Sequence, residues 1–152
     1  YDVKSKHFKR FLSDPPSLDY LFRSHYDEAV KANADYRPAV HRLVHGYIEQ
    51  GLLDKAHEVA LSGLESLTTT WMDSFLLGRV HYLRREWGAA AGIFETAFEM
   101  VVEGCDGPPY QENSPIFSVL SFWAKAELEV GNRERAQVLL EQIKSYQKSS
   151  RI

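Results

Sequence analysis

Two histidines, His41 and His45, have a spacing that could support chemistry. They lie four residues apart, so one face of a helix would carry both imidazoles, a spacing that can bind a metal ion. The residues between them, Arg42, Leu43 and Val44, supply neither a third ligand nor a catalytic glutamate. We expect two partly exposed histidines here and no metal site, with metal binding as the alternative interpretation.

A nucleophile is equally hard to find in this sequence. Cys105 is the one cysteine, so it cannot form an internal disulfide, and no C-x-x-C pair or Cys/His spacing typical of structural zinc is present. Asp106 beside it disfavours the thiolate form that a reactive cysteine needs. No nucleophile elbow or glycine-rich phosphate loop occurs. We predict a protein that is not an enzyme and that uses no cofactor, in a reducing compartment, the cytoplasm.

The amino-acid composition disfavours some classes of binding partner. The 152 residues include 18 Lys and Arg against 21 Asp and Glu, a net charge of -3, so the chain lacks the basic surplus that holds phosphate backbones. No apolar run approaches the roughly 20 residues of a membrane span, and the first residues lack the apolar block of a signal peptide. We expect a soluble chain that buries one core and binds neither nucleic acid nor membrane.

The sequence predicts that helices carry the candidate residues. Apolar side chains recur at three-to-four-residue steps, and no sustained alternation predicts a strand. Prolines and glycines separate the helical stretches, and the segment EGCDGPPYQENSP is too rich in both for a regular element. Seven helices are predicted: about Ser17 to Asn33, Pro38 to Gln50, Leu53 to Leu64, Trp71 to Arg84, Trp87 to Val102, Pro115 to Val130 and Arg133 to Gln147.

The turns between these helices repeat. GLLDKA, which begins at Gly51, aligns with REWGAA, which begins at Arg85. A third copy, GNRERA, begins at Gly131, farther along by one repeat and the length of an inserted loop at 105–116. The offset between the first two copies is about 34 residues and contains two helices, which is typical of a helical repeat.

These residues resemble the tetratricopeptide repeat family, a helix-turn-helix unit of about 34 residues. The resemblance lies in L-G-x-x-H, W-G-A-A and F-x-x-A of the middle copy, and in an alanine early in each second helix, at Ala56, Ala90 and Ala136. Departures are Arg85 at a turn position held elsewhere by glycine, Glu127 in place of an aromatic residue, and the missing terminal prolines.

The resemblance implies an all-α fold of antiparallel helix-turn-helix repeats stacked in a right-handed superhelix, an α-solenoid. The repeats would span about 37–70, 71–104 and 117–150, after an N-terminal extension at 1–36 that holds a capping or partial-repeat helix. Small residues agree with such packing, because helices whose axes are about 8–10 Å apart need small side chains where they cross. Gly78, Ala90 and Ala97 are therefore predicted at helix crossings.

The resemblance also implies that first helices line a concave groove. His45, Arg79 and Lys125 would form a cationic column in it, beside an apolar row of Ile48, Tyr82 and Leu128. We expect a partner peptide with acidic and apolar residues, and we expect Arg79→Glu to abolish its capture; the alternative is an ordinary solvated surface. The complete predicted groove set is His41, His45, Ile48, Phe75, Arg79, Tyr82, Ser121, Lys125 and Leu128.

Other partners remain open at the level of sequence. The chain could be a structural segment of a larger helical-repeat subunit, with Tyr110 of the inserted loop as an anchor. Its last helix has no polar capping helix after it, which allows self-association. The stretch VHRLVHGYIEQGLLDKAHEV also resembles a pentatricopeptide unit, which would imply binding to single-stranded RNA, although the charge balance disfavours this.

Overall fold

The structure is a computed structural model that describes residues 37–65, 69–104 and 115–150, without the side chains of the last two. These ranges contain helices and connecting turns and no strand, as predicted for an all-α helical repeat. The predicted helix over 17–33 and the loop residue Tyr110 lie outside them. Six helices are described: α1 (Arg37–Glu49), α2 (Leu53–Leu64), α3 (Trp71–Leu83), α4 (Trp87–Glu103), α5 (Pro115–Val130) and α6 (Arg133–Ser150).

The chain divides into two compact units, residues 1–68 and 69–152. The first unit contains α1 packed on α2, and its buried side chains include Leu43, Val44 and Ala60. In the second unit each of α3, α4 and α5 packs on the helix that follows, and α3 also contacts α5.

The three helix-turn-helix connections share one backbone conformation. A residue in the turn after each first helix has a positive φ, a left-handed conformation that favours glycine. The next backbone N–H donates at 2.9 Å to a carbonyl five residues back, in the Schellman arrangement. The positive-φ residues are Gly51 (74°), Arg85 (63°) and Gly131 (95°), and the hydrogen bonds are Leu52 to Tyr47, Glu86 to His81 and Asn132 to Glu127.

Small residues lie where helices cross, as predicted. Ala90 and Ala97 are fully buried on α4, and Ala56 and Ala136 at the equivalents of Ala90 are 0% and 1% exposed. At Gly78 on α3, an added Cβ would lie 2.6 Å from a ring carbon of Phe94 on α4. Glycine therefore allows α3 and α4 to approach each other around this ring.

The core of the second unit is continuous from α3 to α6. It is built from small and aromatic side chains of α4 and large apolar ones of α5, including Phe94, Leu120 and Trp123. The start of α3 is fixed by a capping box in which Thr70 donates its backbone N–H, at 2.7 Å, and its hydroxyl, at 3.2 Å, to one carboxylate oxygen of Asp73.

Candidate functional site

Two cations meet on one aromatic ring at the contact between α3 and α5. The guanidinium carbon of Arg79, on α3, lies 5.5 Å from the ring centroid of Phe122, and Nζ of Lys125 lies 5.0 Å from it. Both distances are within the range of a cation–π interaction. The two charges are thus no farther apart than the sum of these distances, which is close to the Debye length of about 10 Å at 0.1 M salt.

The ring of Phe122 is itself held by other aromatic rings. Phe75 lies 5.4 Å away at an interplanar angle of 80°, Phe94 lies 5.8 Å away, and Tyr82 lies 6.4 Å away at 88°. Edge-to-face contacts of this kind stabilise a defined ring orientation as well as burying apolar area. Phe122 is therefore a fixed support for the two cations.

Apolar and aromatic side chains continue this surface toward the turns. Tyr82 lies one helical turn beyond Arg79, is half-buried, and packs edge-on against Trp87 at 5.0 Å. Leu128 lies one turn beyond Lys125 and is 50% exposed, a high value for a large aliphatic residue. We call this surface the cation–aromatic face and define it as Arg79, Tyr82, Phe122, Lys125 and Leu128.

The positive charge of the face is accessible at Lys125. This side chain is exposed, and none of the carboxylates in the described ranges lies within 4.0 Å of it. Glu86, near the turn that follows α3, lies 3.1 Å from Nε of Arg84 and 3.4 Å from Nδ1 of His81, so its charge is engaged there. An anionic group of a partner could therefore approach Lys125 directly.

Five predicted groove residues lie in the second unit besides Leu128, and three of them, Arg79, Tyr82 and Lys125, belong to this surface. Arg79, Tyr82 and Ser121 are half-buried, and Lys125 is exposed. Phe75 is a correction, because its side chain is 7% exposed and packs against Phe122 and Phe94 in the core. The predicted outward-facing position thus contributes packing below the face.

The remaining predicted groove residues belong to the first unit. His45 is half-buried, and its Nε2 lies 3.0 Å from a carboxylate oxygen of Glu49 one turn along α1. His41 is half-buried, and Ile48 is 8% exposed, which corrects the expectation that it faces outward. The cationic column that joins His45 to Arg79 and Lys125 spans both units and stays a prediction.

Sequence reasoning did not identify Phe122. Its position aligns with the buried Leu76 of the preceding copy, so the repeat pattern assigns it to the interior. The available signal was local: Phe122 lies three residues before Lys125, a spacing that places the ring and the ammonium group on the same helix face.

Metal-binding clusters and membrane-spanning helices are absent from the described ranges. In these ranges, no three or more His, Cys, Asp or Glu side chains form a group that could hold a metal ion. None of the described helices is both long and apolar enough to cross a bilayer. The cation–aromatic face is the surface with the most specific chemistry in this part of the chain.

Comparison with known proteins adds no assignment. No protein-family model matches the chain, and no curated protein matches it. A fold of stacked helices does not by itself imply an activity. Function is therefore inferred from the chemistry of the cation–aromatic face.

Proposed function

We propose that this chain is a non-enzymatic, tetratricopeptide-like interaction module of the cytoplasm. It binds a protein segment rich in acidic and apolar side chains on the cation–aromatic face. The family assignment is supported by the regular offset between the first two pairs and by the shared turn conformation. The buried alanine early in each second helix supports it as well.

One observation carries the binding proposal: Arg79 and Lys125 share the ring of Phe122 beside an exposed Leu128. A carboxylate of a partner would form a charge-assisted hydrogen bond with the exposed Lys125. An apolar side chain one turn farther along would cover Leu128 and remove its apolar area from water. Acidic and apolar residues in one short segment match both halves of this surface.

The proposal is tested with three labelled probes and the intact chain. Fluorescence anisotropy measures binding of a 15-residue peptide of Glu, Leu and Ala, of the same peptide with Lys in place of Glu, and of oligouridylate. We expect the acidic peptide alone to bind, with an affinity that falls as salt rises. Equal binding of the basic peptide, or salt-sensitive binding of oligouridylate in its place, would contradict the proposal.

A charge reversal then locates the site. Lys125 is a better position than Arg79, because Arg79 is half-buried whereas Lys125 is exposed and its replacement disturbs little packing. We expect Lys125→Glu to weaken binding of the acidic peptide about tenfold, because an attraction becomes a repulsion. Lys144→Glu, at an exposed lysine on α6, is the matched control and should leave the affinity nearly unchanged. Equal losses in both variants would mean that net charge, and not this face, determines binding.

A further inference from the structure

Helix α4 exposes a short stretch with the same chemistry as the proposed partner segment. Glu99 and Glu103 are exposed, and Val102 between them is 44% exposed, a high value for an apolar residue. Ala97 and Val101 of the same helix are buried in the core, so α4 is anchored while this stretch faces water. We call Glu99, Val102 and Glu103 the acidic–apolar stripe.

The negative charge of the acidic–apolar stripe is accessible. Glu95, one helical turn before Glu99, lies 3.9 Å from Arg135 of α6, so a cation of the same chain lies near it. Among the described residues, no cationic side chain lies within 4.0 Å of Glu99 or Glu103. A cation from another molecule could therefore approach these two carboxylates directly.

The spacing of the stripe matches that of the exposed part of the cation–aromatic face. Lys125 and Leu128 lie three residues apart on α5. Glu99 and Val102 lie three residues apart on α4, in the same order. Residues three apart on a helix are about 5–6 Å apart at Cβ. Two parallel helices side by side could therefore bring carboxylate to ammonium and valine to leucine in a single contact.

We propose that the acidic–apolar stripe of one copy binds Lys125 and Leu128 of a second copy of this chain. The inference rests on the proposed function and names a partner for it. Opposite charges and exposed apolar groups on the two surfaces are complementary. The surfaces differ from each other, so the contact is heterologous, and a copy can offer its stripe to one neighbour and its face to another. A contact of so few side chains gives weak, reversible association.

The test measures self-association of the intact chain by sedimentation velocity. Protein concentrations from about 10 μM to 1 mM cover the range of weak contacts. We expect the average sedimentation coefficient of the unaltered chain to rise with concentration, and to rise less at high salt. Lys125→Glu and Glu99→Lys should each weaken association about tenfold, because an attraction becomes a repulsion.

Mixing the two variants tests whether these two surfaces meet each other. Copies with Lys125→Glu keep an intact stripe, and copies with Glu99→Lys keep an intact Lys125. An equimolar mixture should therefore associate more strongly than either variant alone. Glu141→Lys, at an exposed glutamate of α6, changes the net charge as Glu99→Lys does and should associate like the unaltered chain. Equal losses in Glu141→Lys and Glu99→Lys, or a mixture that stays monomeric, would overturn the inference.

Cross-linking locates the contact directly. A carbodiimide joins a lysine amine to a nearby carboxylate with loss of water, and mass spectrometry identifies the joined peptides. In an equimolar mixture of unlabelled and 15N-labelled chain, we expect Lys125 of one isotope to be joined to Glu99 of the other. Association without this mixed-isotope product would mean that another surface is used and would overturn the inference.

The acidic peptide of Glu, Leu and Ala separates this inference from the proposed function. It should compete with the stripe and lower the sedimentation coefficient of the unaltered chain. A chain that binds this peptide but stays monomeric at every concentration would overturn the inference and leave the proposed function standing. A chain that neither binds the peptide nor associates would overturn both.

Discussion

The two helix pairs of the second unit, α3–α4 and α5–α6, use the same turn but differ in their outer faces. The second helix α4 packs on both α3 and α5, whereas in the described part of the chain α6 packs on α5. Buried or half-buried apolar residues of α4 correspond to polar residues at the equivalent positions of α6. These correspondences are Ala91 to Gln137, Phe98 to Lys144 and Val101 to Gln147.

This difference shows that the interior of a pair and its outer face are specified separately. The equivalent alanines Ala90 and Ala136 are both buried, because each lies at the crossing within its own pair. Phe98, in contrast, packs against Trp123 of the next pair at 5.6 Å, while its equivalent Lys144 is exposed. On α6, polar side chains such as Lys144 thus stand where α4 has residues that pack on the next pair, although Val138 and Leu140 of α6 are exposed, and self-association through this helix stays a prediction.

The helix crossings inside the pairs differ in the sizes of the two side chains that meet there. In the α3–α4 pair, Gly78, the smallest possible residue, faces the large side chain of Phe94. The equivalent positions of the second pair hold Ala124 and Leu140, and those of α1 and α2 hold Val44 and Ala60. A larger residue on one helix thus accompanies a smaller one on the other, which limits how far the side chains push the helices apart.

The largest effect on stability is expected from truncation of Phe94 at the crossing of α3 and α4. Phe94 is fully buried, so Phe94→Ala should lower the free energy of unfolding by about 3–5 kcal/mol. Its counterpart Leu140 is 39% exposed, and Leu140→Ala should cost about 1 kcal/mol. Urea unfolding followed by tryptophan fluorescence measures both, because all three tryptophans lie in the second unit. Similar losses in the two variants would show that the pairs bury this position alike.

A double-mutant cycle tests the volume compensation. Gly78→Ala should destabilise by about 1–2 kcal/mol, because the new Cβ meets the ring of Phe94 and this outweighs the gain in helix propensity. In a Phe94→Leu background, which copies the second pair, the same change should cost nothing or stabilise.

Gly92→Ala is the matched control for this cycle. Gly92 is an exposed glycine of α4, and an added Cβ would meet nothing within 4 Å apart from its chain neighbours and the backbone of its own helix, so the change should stabilise by about 0.5–1 kcal/mol. An equal cost of Gly78→Ala in both backgrounds would rule out a direct coupling between residues 78 and 94.

Much of the fold followed from local signals in the sequence. Pro115, Gly131 and the turn around Arg85 mark helix ends by removing a donor or by requiring a positive φ, and the predicted bounds of α3 to α5 agree with the structure within one residue. Burial of Ala90 and Ala97 followed in the same way from residue size and period.

The candidate site could be predicted only in part. Arg79 and Lys125 were identified because equivalent positions in a repeat share a surface. The burial of Phe75 and the role of Phe122 depend on which ring of α5 packs over α3, and that contact joins residues from different repeats that are far apart in sequence. Periodicity within one helix carries no information about such a contact, because it depends on side-chain packing across helices.

The smallest effect concerns the turn that both pairs share. Arg85 adopts a φ of 63°, which is unfavourable for a residue with a Cβ, whereas Gly131 adopts 95° without this cost. Because the Arg85 side chain is exposed, Arg85→Gly should stabilise by about 0.5–1 kcal/mol, and Gly131→Arg should destabilise by a similar amount. Thermal unfolding followed by circular dichroism measures both shifts.

Arg84→Gly is the control, because Arg84 has an ordinary φ of -81° and an ion pair with Glu86 at 3.1 Å. It should destabilise, since glycine adds freedom to the unfolded chain without relieving a strained backbone. If Arg85→Gly destabilised as much as Arg84→Gly, contacts of the arginine side chain would outweigh its backbone strain. The two turns would then share a conformation for different reasons: the first would be held by its side chain and the second by the freedom of glycine.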